Sequence, residues 1–309
     1  MSTTLRIATR QSPLALWQAE HVKARLETAH HGLLVELLPM TTEGDRRLSS
    51  SLAKIGGKGL FVKELEQAML ENRADLAVHS MKDVPATLPE GLCLGAFLRG
   101  EDPRDALVSD TYDSLESLPP GAIVGTASLR RRAQLLRLRS DLQVVEVRGN
   151  VGTRLKRMQE GRCVAMLLAH AGLTRLGLGA RIRESFDVER FVPAIAQGVI
   201  GIECRSDDSR TRQLLKPLHD SFAAVRLAAE RAMGARMGGA CTVPVAGHAR
   251  LHEGRLQLTG LVAAPDGMRL VRGTLAGRRS TAAELGERLA EQLLNAGGRE
   301  ILADLGINV

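Results

Sequence analysis

Leu76-Ala77-Val78-His79-Ser80-Met81-Lys82-Asp83-Val84-Pro85 is a short apolar run that ends in a polar cluster and is stopped by a proline. An apolar strand feeding polar residues at its end is how an open α/β sheet gathers its functional groups. Outward from this stretch, short apolar runs alternate with amphipathic segments through the first two-thirds of the chain. That alternation predicts an α/β fold with helices covering the sheets. Strands are expected at Leu5–Ala8, Leu33–Met40, Leu76–Val78, Ala106–Val108, Ile123–Gly125, Gln143–Val147, Val164–Ala169 and Val199–Glu203. Helices are expected at Pro13 to about Thr28, Phe61–Glu71, Leu129–Arg139, Val151–Gln159 and Ser209–Leu215.

The last third reads differently. A long helix, Ser221–Met237, precedes three strands (Val243–Arg250, Arg255–Ala264, Arg269–Leu275) and a closing helix, Thr281–Asn295. A Pro265-Asp266-Gly267 turn separates two of those strands, so this part is a small α+β domain. Polar turn residues near 99–104 and Val192-Pro193-Ala194 mark boundaries. The expected domains are 1–98 with a returning 199–216, then 104–193, then 220–309. A chain of 309 residues is too long for one ordinary core.

Composition excludes several classes. With 44% hydrophobic and 25% charged residues the chain is that of a soluble globular protein. Aromatics at 2% argue against reading single-stranded nucleic acid by stacking. The start shows no apolar run of a signal peptide, and no stretch is apolar enough to span a membrane. Four widely spaced cysteines, at 93, 163, 204 and 241, form no C-x-x-C pair. No metal site or disulfide framework is expected, and the natural compartment is the cytoplasm. Cys93, Cys163 and Cys204 sit in apolar strand-like runs, where ordinary burial is expected.

The net charge of +7 matters less than its placement. Three strand-to-helix junctions share one design: Ile7-Ala8-Thr9-Arg10-Gln11-Ser12-Pro13, Val124-Gly125-Thr126-Ala127-Ser128-Leu129-Arg130-Arg131-Arg132 and Val147-Arg148-Gly149-Asn150-Val151-Gly152-Thr153-Arg154. Each sets unpaired backbone N–H groups, a capping side chain and at least one arginine at a helix start. Helix dipole and donors there both favour an anion. The sequence contains no nucleotide P-loop, dinucleotide fingerprint or H-E-x-x-H, so the expected anions are carboxylates. The Gly56-Gly57-Lys58-Gly59 cluster, with Phe61 beyond it, reads as a mobile loop or lid. Asp83 has two readings, a turn residue or a lone carboxylate among cations, suited to stabilising a developing positive charge.

Gly238-Gly239-Ala240-Cys241-Thr242-Val243-Pro244 presents a cysteine after three small residues. It is either a structural thiol in a tight turn or an attachment point with room for a large group, its thiolate favoured by nearby cations.

With these residues in view, the chain resembles the porphobilinogen deaminase (hydroxymethylbilane synthase) family. The resemblance runs end to end. It rests on Arg6 to Ala15, on Lys58-Gly59-Leu60-Phe61-Val62-Lys63-Glu64 and on His79 to Pro85. It rests further on Arg148 to Arg154 and on Glu230-Arg231 followed by Gly238 to Cys241. It implies two periplasmic-binding-protein-like α/β domains hinged around a cleft, with a small C-terminal α+β domain carrying the cysteine. It also implies a dipyrromethane cofactor held by a thioether to Cys241. Four porphobilinogens are condensed on this primer with loss of ammonia, and a linear tetrapyrrole is then released by hydrolysis. The resemblance assigns Asp83 as the catalytic carboxylate. It assigns Arg10, Ser12, Lys82, Thr126, Ser128, Arg130, Arg131, Arg148, Arg154 and Gln197 to cofactor and substrate. A monomer is expected, without nucleic-acid or membrane partners.

Three positions depart from the family pattern: Ala127 stands where serine is common, and Ala196 and Ala240 where glycine is common. A non-catalytic anion-binding or sensing protein of the hinged two-lobe type is the alternative. The C-terminal domain with its cysteine loop argues against it, because fold alone does not separate the two.

Overall fold

A computed structural model describes residues 3–46, 61–238 and 243–309. The glycine cluster 56–59 and Cys241 lie outside the described residues. Two compact units emerge, Met1–Glu101 with Val199–Ala224, and Asp102–Gly198 with Val225–Val309.

The first unit is a five-stranded sheet in the order β2-β1-β3-β10-β4. Its strands are β1 (Thr3–Arg10), β2 (Leu33–Met40), β3 (Leu76–Ser80), β4 (Leu92–Phe97) and β10 (Ile200–Arg205). β1 pairs parallel with β2 and β3, and β10 runs antiparallel between β3 and β4. Alternation along β1 covers both faces. Leu5 and Ile7 pack with Ala19, Val22 and Leu26 of the Pro13–Ala29 helix. Ala8 packs on the opposite side with Leu65, Ala68 and Met69 of the Lys63–Leu70 helix. Period-two side chains against period-3.6 stripes give the layered α/β core that the pattern predicts.

The second unit contains a sheet of the same plan, ordered β7-β6-β8-β5-β9. Its strands are β5 (Asp105–Val108), β6 (Ile123–Gly125), β7 (Gln143–Val145), β8 (Ala165–Ala169) and β9 (Ile182–Ser185). Three strands are again parallel, and β5 lies antiparallel between β8 and β9. In both units the antiparallel strand is the one by which the chain enters from the other unit. A three-stranded antiparallel sheet follows, β11 (Val245–His252), β12 (Arg255–Ala263) and β13 (Leu270–Gly277). Met233, Leu258, Leu285, Leu289 and Leu293 fill its own core beneath the Ala282–Leu293 helix. A smaller cluster of Ala133, Val192, Ala246, Leu261 and Ala263 joins this sheet to the Leu129–Leu138 helix.

The strands β4 and β9 are absent from the sequence expectation. Both are edge strands. Gly95 interrupts the apolar run of β4, and β9 reads Ile-Arg-Glu-Ser, with Arg183 facing solvent. Cys93 is only half-buried on that edge, a departure from the expected burial, whereas Cys163 and Cys204 are buried.

Candidate active site

In the first unit the polar end of β3 is rigidly held. Met81–Asp83 forms one turn of 3₁₀-helix, and Met81 N donates to Val199 O at 3.0 Å. The Met81 side chain, 1% exposed, lies over Gly201 of β10, where any Cβ would come within 2.0 Å of its sulfur. With Met81 wedged inward, Lys82 and Asp83 stand half-buried at the strand end. Among the described residues Asp83 makes no hydrogen bond or ion pair, unlike most buried or half-buried carboxylates of the chain. Beside it Ser80 Oγ and the Gln18 amide are hydrogen-bonded at 2.8 Å.

The first helix start forms as its sequence predicts. Ser12 has extended backbone and its hydroxyl accepts from Ala15 N at 3.3 Å, with Pro13 as the first helical residue. The Arg10 guanidinium sits 4.3 Å from the centre of the Phe61 ring, so Phe61 is a cation–π platform in this structure.

Beneath these groups His79 Nε2 lies 3.0 Å from Glu203 Oε2, both buried. Burial, and then the Glu203 charge, push the Glu66 carboxyl up to about 7. Neither glutamate is announced by the sequence. Glu203 is one acidic residue in an apolar strand, brought to His79 by the pairing of Gly201 with His79 and of Glu203 with Ala77, and Glu66 is one of two acids in the amphipathic Lys63–Leu70 helix.

The second unit holds the other two junctions. Thr126 follows β6 and its hydroxyl accepts from Ser128 N at 3.2 Å. Ser128 caps the Leu129–Leu138 helix by accepting from Arg131 N at 3.4 Å. Asn150 caps the Val151–Gln159 helix by accepting from Thr153 N at 2.9 Å, and Arg154 Nε donates to Gly149 O at 2.7 Å. Arg148 is ion-paired with Glu146.

Arg130 and Arg131 turn inward to a carboxylate that sequence reading missed. Asp105 is fully buried, and Arg130 grips both its oxygens at 2.6 and 3.1 Å while Arg131 donates at 2.9 Å. Carbonyls take further donors: Val192 O from Arg130 at 2.8 Å and Leu167 O from Arg131 at 3.0 Å. Burial alone would raise the Asp105 pKa, but the two guanidinium charges override it and hold the carboxyl well below the usual carboxylate range. The physical reason is that a buried guanidinium cannot shed its proton and so requires a fixed counter-charge. Two cations and one anion still leave a net positive charge at this helix start.

Gln197, 1% exposed, braces the same carboxylate. Its amide Nε2 donates to Asp105 Oδ1 at 3.0 Å and to Pro103 O at 2.7 Å. Its Oε1 is buried and accepts no hydrogen bond among the described residues. The neighbouring Ala196 has φ +62, and its N–H is held by buried Glu230 Oε2 at 2.6 Å. Among the described residues no cluster of three or more His, Cys, Asp or Glu fits a metal ion, and no helix is long and apolar enough to cross a membrane.

Solved structures similar in fold include a putative methionine-binding lipoprotein from Bacillus subtilis (13% identity, TM-score 0.44, covering 72% of this chain and 92% of that one). Another is an ABC transporter periplasmic substrate-binding protein from Coxiella burnetii (15% identity, TM-score 0.44, covering 71% and 94%). At the level of sequence, two family models match in succession. The one for the porphobilinogen deaminase dipyromethane cofactor binding domain matches residues 5–213, and the one for the C-terminal domain matches residues 224–295. A non-catalytic binding protein is not favoured by this match. Matched over nearly its whole length, the chain belongs to the porphobilinogen deaminases, transferases of tetrapyrrole biosynthesis that make hydroxymethylbilane with a dipyrromethane cofactor.

Proposed function

We propose that Asp83 is the carboxylate that acts on the reacting pyrrole, and that arginines, hydroxyls and Lys82 at strand ends and helix starts hold cofactor and substrate. The observation that carries this is a half-buried carboxylate at the end of β3, held behind the wedged Met81 yet without a partner among the described residues. A carboxylate so placed is ready for a charge that develops only during reaction. Loss of ammonia from the aminomethyl group of porphobilinogen leaves a positive charge delocalised into the pyrrole. Asp83 stabilises that charge, accepts from the pyrrole N–H, and carries the proton released when the new carbon–carbon bond forms.

The residues fit a dipyrromethane with acetate and propionate arms. Arg10, Ser12 and Lys82 in the first unit, and Thr126, Ser128, Arg148 and Arg154 in the second, supply cations and hydroxyls suited to carboxylates. Arg130 and Arg131, braced by Asp105, contribute a net positive charge from a fixed position. The orphaned Gln197 Oε1 is an acceptor for a pyrrole N–H. When bound, the cofactor supplies the pyrrole carbon to which the first substrate is joined, and Cys241 is its anchor. The chain is proposed to work as a cytoplasmic monomer of three domains, 1–98 with 199–216, 104–193 and 220–309. Support comes from Cys93, Cys163 and Cys204 forming no disulfide in the structure, and from the large exposed apolar residues, such as Leu34, Val164 and Met268, being scattered along the sequence.

The test is Asp83→Asn. The purified variant is expected to keep an intact mass above its sequence mass by one dipyrromethane, and to lose activity by about a hundredfold or more. Unchanged turnover with the cofactor in place removes Asp83 from the reaction.

A further inference from the structure

Two thiols that the reaction does not use face each other across the first unit's sheet. Cys204 of β10 lies directly opposite Cys93 of β4, and their sulfurs are 3.9 Å apart. Ser206 N donates to Gly91 O at 2.9 Å, which marks that pair as hydrogen-bonded. Such pairs recur at every second position, so Cys204 and Cys93 form one as well. Cα atoms in these pairs stand about 5.5 Å apart, within the span of a disulfide. Their Cβ atoms stand up to about 5.5 Å apart, wider than the roughly 3.8 Å of a relaxed disulfide.

The two sulfurs also differ in access. Cys93 is half-buried on the edge strand, whereas Cys204 is fully buried, packed over Gly95 and beneath Leu215. Burial, and then the nearby Cys93 sulfur, push the Cys204 thiol up to about 12. The outer thiol therefore meets an oxidant first, and the inner one is placed to resolve it.

We propose that Cys93 and Cys204 are a reversible oxidation site at which a hydroperoxide closes an intramolecular disulfide between β4 and β10. The Cys93 sulfur attacks hydrogen peroxide, so that an S–O bond forms, the O–O bond breaks and one water leaves. Cys204 then attacks the resulting sulfenic acid. The S–S bond forms, the S–O bond breaks, and hydroxide leaves as a second water with the thiol proton. The two sulfurs are oxidised by two electrons in all, and the peroxide takes them. Because the strand pair holds the Cβ atoms wide, the bond is strained and a dithiol reductant reopens it readily.

The experiment uses the holoprotein, purified under reductant, exposed to hydrogen peroxide, alkylated, and digested without reductant. A peptide containing Cys93 linked to one containing Cys204 is expected in most chains, with the intact mass lower by two hydrogens. Dithiothreitol is expected to restore both thiols, and Cys163 to remain alkylatable after unfolding throughout. Cys93→Ser abolishes the link. In Cys204→Ser, Cys93 proceeds to sulfinic acid. Since the parent protein's peptide map decides the matter without any variant, a folding defect in either variant leaves the test intact. Recovery of Cys93 as sulfinic acid or as a disulfide between chains, with Cys204 still reduced, overturns the proposal.

Discussion

Asp105 has no exposed surface, and five donors from Arg130, Arg131 and Gln197 converge on its two oxygens. Asp105→Asn keeps the shape but leaves two buried guanidinium groups without their counter-charge. Breaking a buried ion pair from one side costs about 3–5 kcal/mol. The variant is expected to unfold at a lower urea concentration by that margin and to bind anions no better than the parent; an unchanged midpoint would show the carboxylate to be dispensable. The residues on either side of this interaction were unequally visible in the sequence. Arg130 and Arg131 stand out after Ser128, because a capped helix start is a local pattern. Asp105 does not, since it is separated from them by 25 and 26 positions and only the sheet brings them together. Asp83 was legible for the opposite reason: its strand, its turn and its proline are adjacent in the chain.

At the scale of elements, the segment between Phe191 and Val199 does the most with the fewest residues. Val192 O accepts from Arg130 and Gln134, Ala196 N–H is held by Glu230 of the Ser221–Arg236 helix, and Gln197 braces Asp105. Ala196 achieves this in a left-handed conformation, at φ +62, which costs a residue with a Cβ roughly 1–2 kcal/mol. Ala196→Gly is expected to raise stability by about 0.5–1 kcal/mol, the gain being partly offset by the freer unfolded chain. Denaturant titration checks it, and a loss of stability would mean that the methyl group packs productively. Core strands and capped helices of this molecule are legible because each carries its own period. The edge strands β4 and β9 are not, because one face of each answers to solvent and their apolar signal is diluted by Gly95, Arg183 and Glu184.

For the molecule as a whole, the buried acids set how stability follows pH. Glu66 binds its proton more tightly in the folded chain, up to about 7, than its ordinary 4.5. Its contribution is therefore complete below about pH 4.5 and is lost as the pH rises through about 7. Asp105 works in the other sense: its folded pKa is depressed, so its contribution is present above the ordinary carboxylate range and is lost only in strong acid. Glu66→Gln is expected to match the parent near pH 4.5 and to exceed it in urea midpoint increasingly toward about pH 8. Parallel pH profiles for the two proteins would show that Glu66 is not the group responsible.

The crossing strands carry a consequence for synthesis. Among the described residues β4 pairs only with β10, and between them in the chain lie all five strands of the second unit's first sheet. A ribosome therefore releases the whole of β5 to β9, a contiguous set, before the first unit receives the strand that completes it. Until residue 205 is made, the edge of β3 and the whole of β4 wait with open hydrogen-bonding groups, and Cys93 waits without the strand that carries its partner. The later-encoded sheet is thus the one able to close first, and the N-terminal half of the protein is finished from its far end.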